Sequence, residues 1–524
     1  MNPIELNLFS SRLESICEQM GEVLRNAAFS PNIRDRLDFS CAIFDSRGEL
    51  SAQAAHIPVH LGSMAFAMSS VIESVSWSEG DQVIFNDPFL GGTHLPDVTM
   101  VAPVFISGML TAFVVNRAHH ADIGADTPGS MPVSSSLEQE GVVISPQHYY
   151  QSGQANQALL KKLEVKLTGD DTSGDFAAQL SANRFGVEAL SDLILSMSRQ
   201  HYIDGLDALN NYASMLARQS LEKIPDGIYE FEDLMDDDGQ DKQAIKICLK
   251  LKVENARVHA DFDGTGQQVS GNINCPLSVA AAAVFYVFRC LMPPQTPACA
   301  GTFQAISIDA PEGTLVNARY PAAVAAGNVE TSTRIVDVTL GALAKALPGQ
   351  IPAASHGSMN NVAMGSFGGN FGGNLGGNNR EDVNTTGWNY YETIGGGMGA
   401  NSKGDGLSAV QTHMTNTLNT PVEVLEIKYP IRIRQYAIRT NSGGSGKFTG
   451  GDGIVRSFEF TQPAQVSVLT ERRHFAPWGA AGGEDGSSGE NRLNGKAMPA
   501  KFQAKVSGGD VLEIKTPGGG GYGK

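Results

Sequence analysis

Over residues 4–28 the apolar side chains Leu6, Phe9, Leu13, Ile16, Met20, Val23 and Leu24 recur every three or four positions, which predicts an amphipathic helix. Pro31, in Phe29-Ser-Pro-Asn32, stops it. The period then changes. Leu37-Asp-Phe-Ser-Cys-Ala-Ile-Phe-Asp45 reads as a strand entering the Ser46-Arg-Gly48 turn, and His56-Ile-Pro-Val-His60 leads into a second helix that runs to Val75. Val98-Thr-Met-Val-Ala-Pro-Val-Phe105 and Leu110-Thr-Ala-Phe-Val-Val115 are apolar, β-branched runs separated by Ile106-Ser-Gly-Met109, the pattern of a hairpin. Helical spacing returns from Gly174 to Ile224 as two long helices broken near Tyr202-Ile-Asp-Gly205. Residues 228–234, 245–253 and 258–262 predict antiparallel strands, and residues 276–292 an apolar helix. Toward the end Glu423-Val-Leu-Glu-Ile427 and the run 453–460 predict short strands among glycine turns.

These elements predict an α+β, multidomain protein, because 524 residues exceed what one growing core usually holds. The expected parts are a mixed α/β metal-binding and helical region (1–223), an α+β domain (224–356), a glycine-rich loop segment (357–400) and a β-rich C-terminal domain (401–524). Gly-Gly-Asn occurs three times between 368 and 378, where no side chain fills a core.

The net charge of −17, with no dense Lys/Arg run, argues against a nucleic-acid partner. An early helix carrying Glu5, Arg12, Glu14 and Glu18 is unlike a secretory signal, and the expected location is the cytoplasm. Six scattered cysteines without a CxxC pair are read as buried reduced thiols. Neither Gly395-Gly-Gly-Met-Gly399 nor the Gly-Gly-Asn repeat is followed by Lys-Ser/Thr, so neither is a P-loop.

The chemistry gathers at the two ends of the hairpin. Asn86-Asp-Pro-Phe-Leu-Gly-Gly-Thr-His-Leu-Pro-Asp97 precedes it and Asn116-Arg-Ala-His-His-Ala-Asp122 closes it. A hairpin returns its far end beside its start, so His94, Asp97 and His119 are expected to meet as ligands of a divalent metal, with Asp38 a further candidate. Imidazole and carboxylate without thiolate suit Zn2+, Mn2+ or Fe2+. His120 and Asp122 are expected to orient a ligand or carry protons. His56 and His60 are read as polar groups at a helix start, and His413 either lines a polar pocket or ends a strand.

The chain resembles the hydantoinase B/oxoprolinase family through these same residues and others along nearly its whole length: Asp38 to Asp45, His56 to Met64, Asn86 to Asp97, His119-His-Ala-Asp-Ile-Gly124, Gly271-Asn-Ile-Asn-Cys-Pro276, Tyr390-Tyr-Glu-Thr-Ile-Gly-Gly-Gly397, His413-Met-Thr-Asn-Thr417, Phe475-Ala-Pro-Trp-Gly479 and the glycine-rich tail. The resemblance implies metal ligation by His94, Asp97 and His119, with Asp38 matching a further acidic ligand. It implies an ATP-dependent cyclic amidohydrolase acting on hydantoin, 5-oxoproline or a related lactam. ATP and Mg2+ would bind an A-type partner subunit, joined to this chain in a heterotetramer. Two alternatives stand beside it: a subunit of an ATP-dependent ketone carboxylase of the acetone or acetophenone type, and a non-catalytic scaffold for the ATP-binding subunit. Leu37, where a basic residue is expected, and the long Gly-Gly-Asn repeat depart from the pattern.

Overall fold

The computed structural model describes residues 1–54, 57–167, 170–366 and 387–524. His56 and the Gly-Gly-Asn repeat lie outside the described residues. The N-terminal part is built on a seven-stranded sheet in the order β2-β1-β5-β4-β3-β6-β7. Its strands are β1 (Phe39–Asp45), β2 (Leu50–Ala54), β3 (Gln82–Phe85), β4 (Asp97–Ile106), β5 (Met109–His119), β6 (Gln147–Gln151) and β7 (Gln154–Ala155).

The central pair β4/β5 is the predicted hairpin, longer than its apolar runs. It extends to a last rung where Asp97 stands opposite His119, and the register shifts between Val104 and Phe105 near the turn. Strands β1, β3 and β4 are buried almost throughout, since helices cover both faces of the sheet. On one side lie α1 (Pro3–Ala27), the single-turn α2 (Pro31–Arg34) and, after α3 (Pro58–Ser74) and α4 (Gln157–Lys166), the long α5 (Asp170–Met197) and α6 (Arg199–Leu221). Helix α3 packs on the opposite side against Phe44, Phe85, Val101 and Phe113.

The break between α5 and α6 falls at Ser198, not at the predicted Tyr202–Gly205 position. Ser198 takes φ +76° and its hydroxyl accepts from His201 N at the start of α6. Gly205 serves packing instead: a Cβ there would lie 2.6 Å from Met1 and 3.0 Å from Phe9, so its absence lets α1 and α6 approach.

A second sheet, β11-β10-β9-β8, follows from β8 (Gly227–Asp237), β9 (Gln243–Glu254), β10 (Arg257–Asp261) and β11 (Ile306–Asp309). Its apolar face packs on α7 (Leu277–Cys290) and α8 (Ser332–Ala346), in one core that also takes in Ile57, Val59, Tyr391 and Leu469. Side chains from both sides of residue 224 therefore share a core. The C-terminal part holds two more sheets formed by β12 (Asn361–Ser366), β13 (Trp388–Glu392), β14 (Ile431–Arg439), β15 (Gly453–Phe460), β16 (Ala464–Leu469), β17 (Glu490–Leu493), β18 (Lys496–Met498), β19 (Lys501–Val506) and β20 (Val511–Lys515).

The predicted strand at 423–427 is instead a helix, α9 (Val422–Lys428), which follows Pro421 and buries only Leu425. A run that short carries too little periodicity to separate the two states. All six cysteines are free, but Cys248 is half-buried and Cys290 exposed, against the expectation that all lie in the core. No helix among the described residues is long and apolar enough to cross a membrane.

Candidate metal centre

The loop before β4 is shaped by its backbone needs. Asp87 accepts from Phe89 N at 3.0 Å and starts a short 3-10 turn, Pro88–Leu90. Gly92 must be glycine, because a Cβ would sit 2.4 Å from Asn86 O. The Asn86 amide nitrogen donates to Leu95 O and Val142 O, and its oxygen accepts from Ile144 N, which pins the loop. Arg117 on β5, wholly buried, donates to Thr99, Ser63 and Gly91 O and ties the same loop to the sheet and to α3.

This frame brings together His94, Asp97 and His119. One ligand atom from each lies within 4.8 Å of the other two, the only such group of three His, Cys, Asp or Glu side chains found among the described residues. All three are buried. Each is gripped at one atom and left free at another. His94 Nδ1 is 3.2 Å from Ala325 O, a pure acceptor, so the ring proton of the neutral imidazole belongs on Nδ1 and Nε2 is left as a lone pair. Asp97 Oδ2 accepts from Thr93 Oγ1 at 2.6 Å and Asn328 Nδ2 at 3.3 Å, with His60 Nε2 3.3 Å away. His119 Nδ1 is 3.2 Å from the Asn32 amide, whose oxygen and nitrogen exchange by a flip; with the oxygen inward, Nδ1 donates and Nε2 is free.

The atoms left over, His94 Nε2, Asp97 Oδ1 and His119 Nε2, are buried without a hydrogen-bond partner. His94 Nε2 and Asp97 Oδ1 approach to 3.2 Å without hydrogen-bond alignment. Three orphaned donor atoms converging in a buried interior are costly unless something shared completes them. Two imidazoles and one carboxylate fit a divalent ion.

The electrostatics couple the three groups, and the proton that Asp97 favours on the His94 ring is the one a bound cation would displace. Burial alone would raise the Asp97 carboxyl, but the facing His94 and His60 rings outweigh it and hold it well below the usual carboxylate range. Burial opposes protonation of His94 too, and the Asp97 carboxylate overcomes that and raises it. For His119, burial and the nearby His94 push the imidazole well below its ordinary value, leaving it a neutral donor.

The structure places the other predicted residues around this group rather than in it. Asp38 is buried, its backbone carbonyl accepts from His119 N at 3.0 Å, and its carboxylate lies 3.8 Å from Arg36. Burial raises its pKa against the pull of Arg36. His120, one position past the end of β5, turns to the opposite face, with Nε2 2.9 Å from Gln179 Oε1 and its ring on Phe176. Asp122 accepts from Gly124 N at 2.8 Å in a turn.

Several residues that hold the group were not foreseen: Asn32, His60 in this role, Thr93, Ala325, Asn328 and Glu140. Asn328 lies on a π-helical turn, Gly327–Thr331, at the head of α8, a distortion often found at functional sites. Glu140 is buried, accepts from Ser134 Oγ and from the backbone of Val324 and Ala325, and so fixes the carbonyl that orients His94. Only a glutamate twenty-one residues beyond the last ligand hints at it in the sequence.

Burial pushes the Glu140 carboxyl up to about 7, against the opposing hydrogen bonds from Ser134 and from the Ala325 and Val324 backbone. A raised folded-state pKa gives stability that is complete below the unfolded value and is lost as pH rises through the folded one. Wild-type stability relative to Glu140→Gln is therefore expected to fall between about pH 4.5 and about pH 7, by about 3 kcal/mol at most. Urea midpoints of both proteins across that range check it. A constant difference would show that Glu140 does not titrate there.

Comparison with known proteins identifies the family of the chain. An uncharacterised protein of Methanocaldococcus jannaschii is 39% identical, over 100% of this chain and 91% of its own length. The 5-oxoprolinase of Dictyostelium discoideum is 38% identical over 100% of this chain, which spans 40% of that longer enzyme. The crystal structure of the ATP-dependent caprolactamase from Pseudomonas jessenii superposes with a TM-score of 0.90 at 25% identity, covering 100% of this chain and 91% of that one. The model of the hydantoinase B/oxoprolinase family matches residues 2–524, and with a 39%-identical relative matched over the whole of this chain, the chain belongs to that family.

Proposed function

We propose that this chain is the metal-bearing part of an ATP-dependent enzyme that opens cyclic amides, working with an ATP-binding A-type partner subunit. The carrying observation is the set of three free ligand atoms, His94 Nε2, Asp97 Oδ1 and His119 Nε2, converging in a buried site. Family membership, similarity to a 5-oxoprolinase and likeness to an ATP-dependent caprolactamase support the substrate class. Most of the length of that 5-oxoprolinase lies outside the match. The glycine runs of this chain lack a phosphate-loop lysine, which supports an ATP site on other sequence.

An unactivated lactam is a poor electrophile. Transfer of a phosphoryl group from ATP to the amide oxygen, on the partner, makes the ring carbon open to water. Addition of water forms the new C–O bond, the ring C–N bond breaks, and the nitrogen leaves as an amine after taking a proton. The acyl phosphate that remains is then hydrolysed. A divalent ion, Zn2+, Mn2+ or Fe2+, held by His94, Asp97 and His119 would lower the pKa of water or polarise a carbonyl.

The residues of this chain set the conditions. Ala325, Asn32, Thr93 and Asn328 aim the three ligands, and the buried setting keeps bulk water from the phosphorylated species. His120 keeps one ring nitrogen, Nδ1, without a partner, and burial holds the ring neutral, so it is suited to carry the proton destined for the leaving nitrogen. Asp122 is the second proton carrier in this scheme, and Asp38, which lies beside the three ligands and not among them, would join them only by turning its carboxylate away from Arg36.

The test combines the purified chain and its A-type partner with ATP, Mg2+ and 5-oxoproline, hydantoin or caprolactam. Ring opening coupled to ADP formation is expected, with loss on chelation and recovery on adding back one of the three ions. A metal-replete complex that opens none of these rings, or that instead carboxylates a ketone with bicarbonate, would overturn the reading.

A further inference from the structure

His119 is held by more than its Asn32 contact. The phenol ring of Tyr391, on β13, lies flat on the imidazole, with centroids 4.8 Å apart and planes inclined by only 4°. The two residues stand 272 positions apart and on different sheets, so the stack exists only in the folded whole. Tyr391 is itself clamped. Its hydroxyl donates to Asn361 Oδ1 at 2.6 Å, and the Asn361 amide nitrogen donates to Glu330 Oε1 at 2.7 Å and Leu469 O at 3.0 Å. The Arg36 guanidinium carbon sits 4.7 Å from the centroid of the same ring, with Nη1 donating to Tyr391 O and Nη2 to the hydroxyls of Thr393 and Thr417. All of these side chains are buried.

We infer that Tyr391 is a positioning residue for His119, its clamped ring fixing the plane of the imidazole so that Nε2 points at the place shared with His94 Nε2 and Asp97 Oδ1. The physical need is specific. The hydrogen bond at Nδ1 fixes one edge of the ring but leaves the imidazole free to swing about that contact, and a face-to-face partner removes the swing. Asp97 is gripped through three groups and His94 by a backbone carbonyl, whereas the His119 ring has a single neutral amide as hydrogen-bond partner and only the edge-on His94 ring, 5.2 Å away, beside the Tyr391 stack. The inference rests on the reading of these three residues as a metal site.

Co2+ serves as the probe, because its absorption bands report ligand geometry separately from affinity. Titrated into the full-length wild-type chain, it is expected to bind at one site with a defined visible spectrum. Tyr391→Leu, which removes the ring, is expected to weaken binding about 10- to 100-fold and to alter the bands, the size typical of groups that orient a ligand. Tyr391→Phe keeps the ring and loses only the Asn361 bond. It is expected to restore the wild-type band positions, with affinity a few-fold below wild type.

Wild-type affinity and spectrum in Tyr391→Leu would overturn the inference while leaving the metal site standing. Failure of the wild type to take up Co2+ would instead remove the metal reading, and this inference with it. If Tyr391→Leu does not fold, Tyr391→Met, which fills the space without a flat ring, decides: wild-type affinity and band positions there overturn the positioning role, and weakened binding with shifted bands supports it.

Discussion

Replacing His119 with alanine is expected to empty the site and to lower ring opening by about 1000-fold or more, since the ion contributes several kcal/mol of transition-state stabilisation and each 1.4 kcal/mol is about tenfold in rate. The side chain supplies one of only three free ligand atoms, and no other His, Asp or Glu among the described residues shares the group. Metal content after dialysis and the rate with the partner, ATP and lactam measure the two effects. His120→Ala is the matched control. That ring faces Gln179 and Phe176, so its loss is expected to leave metal content at the wild-type level while lowering the rate. Equal metal loss in both variants would show that the hairpin end, rather than one ligand, had been disturbed.

The largest effect on stability is expected away from the site. Glu471 is wholly buried between two cations, with Oε1 2.6 Å from Lys501 Nζ and Oε2 3.1 Å from Arg334 Nη2. Glu471→Ala leaves both charges short of a partner in a dry setting, which typically costs about 3 to 5 kcal/mol. Asp237, 3.5 Å from Lys501, and Asp233, 3.4 Å from Arg334, temper the loss without replacing it. Removing the charge on both sides, as in Glu471→Leu with Lys501→Met, is expected to recover much of the stability, because a buried pair gains little over apolar groups of similar size. Urea midpoints of the single and double variants check this; a double variant as weak as Glu471→Ala would show that the carboxylate acts by more than pairing.

The sequence carried the centre of this picture because the signals there are local. The β-branched runs flanking Ser107-Gly108 announce a hairpin, and a hairpin obliges residues near 97 and 119 to meet. What lay beyond reach was whatever arrives from a distance. Tyr391, Asn361 and Glu330 come to the site across hundreds of positions, and a tyrosine or an asparagine has no spacing that marks it as a support. Glu140 was missed because its effect passes through a backbone carbonyl, which leaves no trace in side-chain identity. Asp38 was expected as a further ligand; it meets His119 through its backbone carbonyl, and its carboxylate lies 3.8 Å from Arg36, outside the group of three. Misread elements have equally definite causes. Gly205 resembles a helix break and is a helix crossing, and the alternating run at 423–427 is too brief to declare its period.

The offset between Val104 and Phe105 decides which of two neighbouring imidazoles is used. Near the turn Phe105 pairs with Leu110 and Ile106 with Met109, and a ladder continued evenly from there would set Asp97 against Ala118. His119 would then point to the other side of the ribbon, because side chains alternate and a slip of one inverts them all. Thr111, the extra residue taken up there, roughly 23 Å of strand from Asp97, restores the opposite parity. A small irregularity at the far tip of the ribbon thus selects the first member of the His-His doublet and consigns the second to the helix behind it.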